Sequence, residues 1–328
     1  MDSVIGLSSL HSCETHKQIK NIKNIPTNIK NTGDLHVDPV YLERLGFLNP
    51  IPFHTVKTKK HKTEVGSSPV IVSAIEPGKY DQAKTFIKSV QYFLPNLHLV
   101  MYDLGLGGSE ASQLKKHCNT SRSCIVKKME FEQYPSHIKD LDIKSYRPIC
   151  IQEMLTEYDL ILWSDSTDSF ITGQISQSVE QAIENGILAW TIPQPTSAIT
   201  HPKMFEYFEM DKENYIFHRA VKASQLIIYN TDHIHKELML PWVRCSLAEE
   251  CINPTGAQSV GCKEPKPLYL YSGCHRYDMS ALNVILGHMF NYTSKIYAGK
   301  EQVFGVLTEN GKNNTMPFFN MENSKSRK

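Results

Sequence analysis

Two aspartates directly follow a short apolar run, at a spacing that suits a divalent cation. The run Leu160-Ile-Leu-Trp163 is fully apolar, and Ser164-Asp165-Ser-Thr-Asp168 follows it. Carboxylate and hydroxyl oxygens are hard ligands that suit Mg²⁺ or Mn²⁺, and such an ion can bridge a diphosphate and neutralise a leaving group. The sequence therefore predicts a metal site at Asp165 and Asp168. The alternative is an ordinary turn in which Asp168 accepts hydrogen bonds from backbone amides.

A second cluster of polar side chains opens an apolar helical segment. It is the run Cys274-His-Arg-Tyr-Asp-Met-Ser280. Asp278 is a candidate catalytic residue, acting as a base or binding a sugar hydroxyl. His275 is a candidate metal ligand beside the two aspartates, and Arg276 could face a phosphate. The alternative makes Asp278 a helix cap and His275 a satisfied structural histidine.

A glycine-rich turn, Asp103-Leu-Gly-Leu-Gly-Gly108, follows another predicted strand. Gly105 and Gly107 would let backbone amides approach a phosphate or ribose, and Asp103 would hold a base or sugar hydroxyl. Arg147 precedes a proline at the start of a predicted helix, where it could place a cation near a nucleotide. We assign these four residues to nucleotide binding. An ordinary turn and a surface arginine are the alternatives.

The segments between these clusters alternate between strand-like and helix-like patterns. The predicted strands lie at 69–75, 97–102, 124–131, 160–163, 188–192 and 226–229, and the predicted helices at 80–94, 109–117, 148–158, 175–184, 203–208, 233–247 and 280–290. This order is typical of an open sheet built from βαβ units. All-apolar strands indicate a sheet that is covered on both faces and mostly parallel. In such α/β folds ligands bind beyond the carboxyl ends of the strands, where all three clusters would lie.

Composition limits the classes of function. Hydrophobic residues make up 41% of the 328 residues and charged residues 21%, enough for a large core. The formal charge of +1 argues against a general nucleic-acid binder, and the sequence shows no apolar run long enough to span a membrane.

Lysine- and asparagine-rich residues 1–67 are predicted to form a flexible stem before a domain at 68–300 and a tail at 301–328.

The cysteines point to an oxidising compartment. Eight cysteines include no CxxC pair, and three Asn-X-Ser/Thr sequons begin at Asn119, Asn291 and Asn313. We predict a glycoprotein of the secretory pathway, in the Golgi lumen or secreted, with a cytoplasmic protein bearing reduced thiols as the alternative. Two disulfides are predicted among four clustered cysteines, and all three pairings remain open. The four are Cys245, Cys251, Cys262 and Cys274.

Several motifs, in this order, resemble those of the invertebrate domain of unknown function 1647 family. They are Tyr102-Asp-Leu-Gly-Leu106, Tyr134-Pro135, Arg147-Pro148, Trp163-Ser-Asp165-Ser, Cys245-Ser-Leu-Ala-Glu-Glu-Cys251, Pro254-Thr-Gly256 and Cys274-His-Arg-Tyr-Asp-Met-Ser-Ala-Leu-Asn283. The resemblance covers about 68–300. It implies a fold similar to GT-A glycosyltransferases, which are Rossmann-like and use nucleotide sugars.

The chain departs from the family pattern at three places. Arg147 stands where the family usually has lysine, which keeps the charge, and Met279 stands where it usually has glutamine. The family's motif at the end of this strand corresponds to Asp165 and Thr167. Asp168 has no counterpart in that motif, so its assignment as a metal ligand depends on its spacing alone.

The predicted function is metal-dependent transfer of a sugar from a nucleotide sugar to a glycan or protein acceptor. Asp165, Asp168 and His275 would hold Mn²⁺ or Mg²⁺ on the diphosphate, and Asp278 would bind donor or acceptor or act as base. The alternative is a secreted, non-catalytic domain of the same fold that binds a glycan or a protein. A cytosolic nucleotidyl- or sugar-phosphate enzyme is a third interpretation.

Overall fold

The computed structural model describes residues 37–48, 69–119, 124–263 and 267–305. Most of the predicted stem and tail lies outside these residues. None of the helices in the described ranges is both long enough and apolar enough to cross a membrane.

The core of the domain is a six-stranded sheet. Its strands are β1 (Val70–Ile75), β2 (Leu99–Asp103), β3 (Cys124–Lys128), β4 (Leu160–Ser164), β6 (Ile187–Pro195) and β7 (Arg219–Tyr229), in the spatial order β3-β2-β1-β4-β7-β6. The pairs β1–β2, β2–β3 and β1–β4 are parallel, and the pairs β4–β7 and β6–β7 are antiparallel. A small second sheet pairs β5 (Ser169–Phe170) with β8 (Phe304–Gly305).

Helices cover both faces of the large sheet. They are α1 (Pro39–Arg44), α2 (Tyr80–Phe93), α3 (Gly108–Asn119), α4 (Tyr146–Leu155), α5 (Ser176–Asn185), α6 (Pro202–Tyr207), α7 (Leu240–Leu247), α8 (Glu249–Ile252) and α9 (Asp278–Met289). Residues of α2, α3 and α5 share one buried cluster with Ile71 and Met101. The next residue, Tyr102, points to the opposite face, where its hydroxyl donates to Glu153 of α4 over 2.6 Å. The predicted α/β architecture is confirmed.

The order in which strands are added to the sheet reverses between β1 and β4, which makes this position a topological switch point. β2 and β3 are added on one side of β1, and β4 lies on the other side. The register aligns Ile75 with Asp103 and Val72 with Trp163, so the parallel strands β1, β2 and β4 end at one edge. The crevice beside such a switch point is where open α/β sheets bind ligands.

The strands β6 and β7 are longer than the predicted strands at 188–192 and 226–229. β6 and β7 remain paired at Thr191–Val221 and Pro195–Arg219, beyond the end of β4 at Ser164. β6 is an edge strand, which tolerates Pro193 and Pro195 because no further strand needs their missing N–H groups.

The predicted helix at 233–247 is divided in two. Residues Ile234–Met239 form a π-helical turn and α7 follows at Leu240. Pro241 has no N–H to donate to the carbonyl of Glu237, so the regular hydrogen-bond ladder cannot continue past it. A local π-turn at this break is a common adjustment.

Part of the predicted flexible stem is ordered. α1 begins at Pro39 behind an Asp38 cap, whose carboxylate accepts from the amide of Val40 at 3.0 Å. Leu45 is fully buried, and its carbonyl accepts a 2.8 Å hydrogen bond from the side chain of Gln152. Residues 37–48 therefore pack against the domain, and the predicted boundary at 67 does not separate them from it.

The predicted pair of disulfides is confirmed, and a third is present. The bonds join Cys118 to Cys124, Cys245 to Cys251 and Cys262 to Cys274, while Cys150 is a buried free thiol. Disulfides form and persist in oxidising compartments. They fit a secreted or lumenal protein.

Peptide mapping of the native protein without reductant is expected to recover three linked peptide pairs, 118–124, 245–251 and 262–274. Alkylation before unfolding should leave Cys150 unmodified, because its side chain is inaccessible. Recovery of alkylated Cys245 and Cys251 from protein purified from an oxidising compartment would contradict this assignment.

Candidate functional site

A buried ion cluster lies at the edge where β4 ends. Arg147, in the first turn of α4, donates from Nε to Oδ1 of Asp165 at 3.1 Å and from a terminal nitrogen to Oδ2 at 2.7 Å. Its other terminal nitrogen donates to Oδ2 of Asp278, the first residue of α9. One guanidinium therefore joins two carboxylates from different elements, in the planar geometry that arginine favours.

The two carboxylates differ in their access to solvent. The side chain of Asp278 is 2% exposed and that of Arg147 is 5% exposed, whereas that of Asp165 is 20% exposed. Two indoles fix the cluster, since Nε1 of Trp163 donates to Asp165 Oδ1 at 3.0 Å and Nε1 of Trp242 donates to the Asp278 carbonyl at 2.9 Å. Asp165 is thus the outer member and Asp278 the inner member.

Burial and charge act in opposite directions on the pKa values of this cluster. Burial raises the pKa of Asp278 to about 6, against the opposing effect of the Arg147 charge. Burial also disfavours the charged form of Arg147, but the carboxylates of Asp165 and Asp278 outweigh it, so the arginine pKa is raised. Perturbed groups at a sheet-edge crevice are candidates for a functional site.

Asp168 lies in the same turn as Asp165 but outside the ion cluster. Its amide donates to the Asp165 carbonyl at 3.0 Å, which closes the turn, and its Oδ2 accepts from Gln225 at 2.8 Å. Burial raises the pKa of Asp168. Its carboxylate is therefore held against β7.

His275 has backbone partners at both ring nitrogens. Nδ1 lies 3.1 Å from the amide of His201, which donates to it, and Nε2 lies 3.1 Å from the carbonyl of Ile252. Burial lowers the pKa of His275 to about 4, so the ring is neutral. These contacts match the alternative interpretation of a satisfied structural histidine.

The predicted metal set is not assembled in the described part of the chain. No group of three or more His, Cys, Asp or Glu side chains is arranged there to hold a metal ion. Asp165 already accepts from Arg147 and Trp163, Asp168 from Gln225, and His275 has no ring nitrogen left for coordination. The residues present do not fit a divalent cation in this arrangement.

The glycine turn after β2 is organised by its own aspartate. Oδ1 of Asp103 accepts from the amides of Gly105 at 2.9 Å and Leu106 at 2.7 Å. Gly105 has a φ of 108°, a conformation that favours glycine, whereas Gly107 has open space where a Cβ would lie. The fold therefore requires the first glycine and leaves the second unconstrained.

Alanine substitutions of Gly105 and Gly107 should differ in their effect on stability. Gly105→Ala is expected to lower the free energy of unfolding by about 1 kcal/mol or more, because alanine is strained at positive φ. Gly107→Ala should leave stability within about 0.5 kcal/mol, as its Cβ meets no atom. Denaturant titration of both variants checks this, and equal losses would contradict it. Weaker nucleotide binding by Gly107→Ala alone would show that a ligand approaches the turn.

Glu76 is a charged residue at this sheet edge that the sequence motifs do not select. Glu76 follows β1 at the same sheet edge and pairs with Lys144, and the hydroxyl of Tyr146 donates to it at 3.0 Å. Its position at the end of a buried, mostly apolar strand, like the positions of Asp103 and Asp165, is the signal that could identify it.

Strained backbone lies beside the ion cluster. Lys144 has a φ of 56° and Tyr277, directly before Asp278, has a φ of 46°. Neither is glycine, and such conformations persist only where surrounding contacts enforce them, often at functional sites. Arg276 is exposed and forms no ion pair with the described residues.

Comparison with known proteins gives a family match for part of the chain. A family model described as protein of unknown function (DUF1647) matches residues 11–152. The predicted resemblance to this family is confirmed, and the matched segment overlaps the predicted range of about 68–300 at 68–152. This overlap contains Arg147 but ends before Asp165 and Asp278. No curated protein matches the chain at a significant level.

Among solved structures, glycosyltransferases are similar to this chain. The apo structure of the bifunctional enzyme WbbM is 11% identical, with 68% of this chain and 38% of that chain covered and a TM-score of 0.40. Apo GlyE of Streptococcus pneumoniae TIGR4 is 16% identical, with coverages of 72% and 45% and a TM-score of 0.39. The galactosyltransferase LgtC, in complex with donor and acceptor sugar analogues, is 12% identical, with coverages of 78% and 95% and a TM-score of 0.40. This chain spans less than half the length of the first two.

Proposed function

We propose that this chain transfers a sugar from a nucleotide sugar to a glycan or protein acceptor. The observation that carries the proposal is the Asp165–Arg147–Asp278 cluster, which lies at the sheet edge beside the switch point between β1 and β4. Open α/β sheets bind nucleotides at such a crevice. The resemblance of the motifs to the DUF1647 family, and through it to GT-A enzymes, supports the same function.

Within this proposal the outer carboxylate has the direct role. Asp165 is the cluster member whose side chain is partly exposed, so it can meet a hydroxyl of the donor or acceptor sugar. Arg147 orients that carboxylate by donating to both of its oxygens. Asp278 contacts Arg147 from the inner side and is a positioning residue, although the sequence predicts it as a catalytic one.

The diphosphate requires cationic partners that are not already neutralised. Arg147 faces two carboxylates and Lys144 faces Glu76, so each has its charge compensated. We assign Arg276 as a candidate diphosphate contact, because it is exposed and lies two residues before Asp278. The predicted metal ion is no step in this proposal, because the described residues do not fit a divalent cation in their present arrangement.

We propose that the protein belongs to the secretory pathway, either in the Golgi lumen or as a secreted protein. Three disulfides support it, since cytosolic proteins rarely keep them. Glycosylation of the chain itself remains a prediction from its sequons.

A panel of nucleotide sugars tests the proposal. Purified full-length protein is titrated calorimetrically with each nucleotide sugar, and hydrolysis or transfer to glycan acceptors is then followed. Binding of at least one donor, with turnover lost in Asp165→Asn, is the expected result. Binding of glycans or protein without any nucleotide sugar would favour the non-catalytic alternative and overturn the proposal.

A further inference from the structure

The carboxylates at the proposed donor site are joined by a side chain that carries its own positive charge. Arg147 reaches both oxygens of Asp165 and one oxygen of Asp278, and it is almost completely buried. A divalent cation between the same carboxylates would perform the same electrostatic task. We infer that Arg147 is the resident cation of this site and that it takes the place predicted for Mn²⁺ or Mg²⁺.

The hydrogen bonds of Asp165 support this assignment. Two come from Arg147 and one from Nε1 of Trp163 at 3.0 Å. A carboxylate offers about four lone-pair sites, so little acceptor capacity is left. Any metal ion at the remaining site would also approach the guanidinium, which repels it.

The other predicted ligands are bound elsewhere. Asp168 is held by Gln225, and both nitrogens of His275 have backbone partners. Mg²⁺ requires near-octahedral oxygen coordination, which would mean breaking several of these contacts at once. Arginine, by contrast, fits two carboxylates with its planar fork of donors.

The charge balance leads to a testable consequence. Two carboxylates and one guanidinium leave at most one net negative charge, so the cluster needs no additional cation. If Arg147 is removed, Asp165 and Asp278 face a shared space without a counter-ion. The vacated site then has the donor chemistry that divalent cations prefer.

Mn²⁺ titration, followed by electron paramagnetic resonance and thermal unfolding, tests the inference without any substrate. Wild-type protein is expected to show no stoichiometric Mn²⁺ binding at millimolar concentrations. Arg147→Met should gain binding by tenfold or more and unfold at a higher temperature when Mn²⁺ is added. The double variant Arg147→Met/Asp278→Asn should lose that gain, and Arg147→Lys should never acquire it.

Two results would overturn the inference. One is Mn²⁺ binding by the wild type that Asp165→Asn abolishes, a measurement that decides the question even if Arg147→Met does not fold. The other is a folded Arg147→Met variant whose Mn²⁺ affinity equals that of the wild type.

The inference rests on the proposed function in one respect only, namely that the nucleotide-sugar donor also binds without a metal ion. A separate titration with UDP and GDP, with and without EDTA, addresses that part. EDTA-insensitive nucleotide binding is the expected result, and nucleotide binding that EDTA abolishes would overturn the extension. Failure to bind any nucleotide would count against the proposed function, while the Mn²⁺ titration would still decide the role of Arg147.

Discussion

Replacing Arg147 by methionine is expected to lower the free energy of unfolding by about 3–5 kcal/mol, the usual cost of leaving buried charges without their partner. Methionine fills part of the volume but cannot donate to Asp165 or Asp278. Both carboxylates would then be left beside each other, one of them with a side chain that is only 2% exposed. Urea titration of wild type and variant at about pH 8 measures the loss.

The pH dependence of that loss is a further check. Burial raises the pKa of Asp278 in the folded protein to about 6, above its unfolded value of 3.8, even with Arg147 present. A raised pKa contributes stability that is complete below the unfolded value and is lost as the pH rises through the folded one. Removing Arg147 raises this pKa further.

The destabilisation caused by Arg147→Met should therefore be smaller at about pH 5 than at about pH 8. Arg147→Lys is the matched control, since it keeps a positive charge but not the planar fork, and it should lose less stability than the methionine variant. An equal loss for both variants, unaffected by pH, would show that packing and not charge determines the stability here.

The central strands could be predicted because strands that are buried on both faces consist mostly of apolar residues. β1 and β4 are buried along their whole length, and both are mostly apolar, with a single serine in each. The first half of β7 was missed because Arg219 and Lys222 interrupt its apolar residues where it extends past β4 with β6. Burial alternates over residues 221–225, but the buried Gln225 is polar, so the residue types do not show the alternation.

The residues of the candidate site could be predicted, but the contacts between their side chains could not. Asp165, Arg147 and Asp278 were all selected from residue type and position at element ends. Arg147 is 18 residues from Asp165 and 131 from Asp278 in sequence, and a single sequence contains no information about such distant pairing. The same limit explains His275, whose structural role depends on the distant carbonyl of Ile252 and on the amide of His201.

Asp165→Asn is expected to reduce turnover of a nucleotide sugar by about 10²–10⁴-fold, the range for losing a positioned carboxylate that exchanges a proton. The asparagine keeps the size of the side chain and can still accept one hydrogen bond from Arg147. Because Asp278 continues to neutralise the arginine, the loss of stability should be limited to about 1–2 kcal/mol. Steady-state kinetics on folded protein, combined with denaturant titration, measures both quantities.

Two further variants assign the effect to the correct carboxylate. Asp232→Asn removes the same charge from an exposed surface pair with Lys236 and should leave turnover unchanged. Asp168→Asn distinguishes the two models of the site. If the Arg147 cluster provides the catalytic environment, Asp168→Asn changes turnover by less than about tenfold, because its carboxylate contacts Gln225 and not the cluster. A loss at Asp168 as large as that at Asp165 would instead require both aspartates to act on one ligand, as a shared metal site does, and would return the divalent cation to the mechanism.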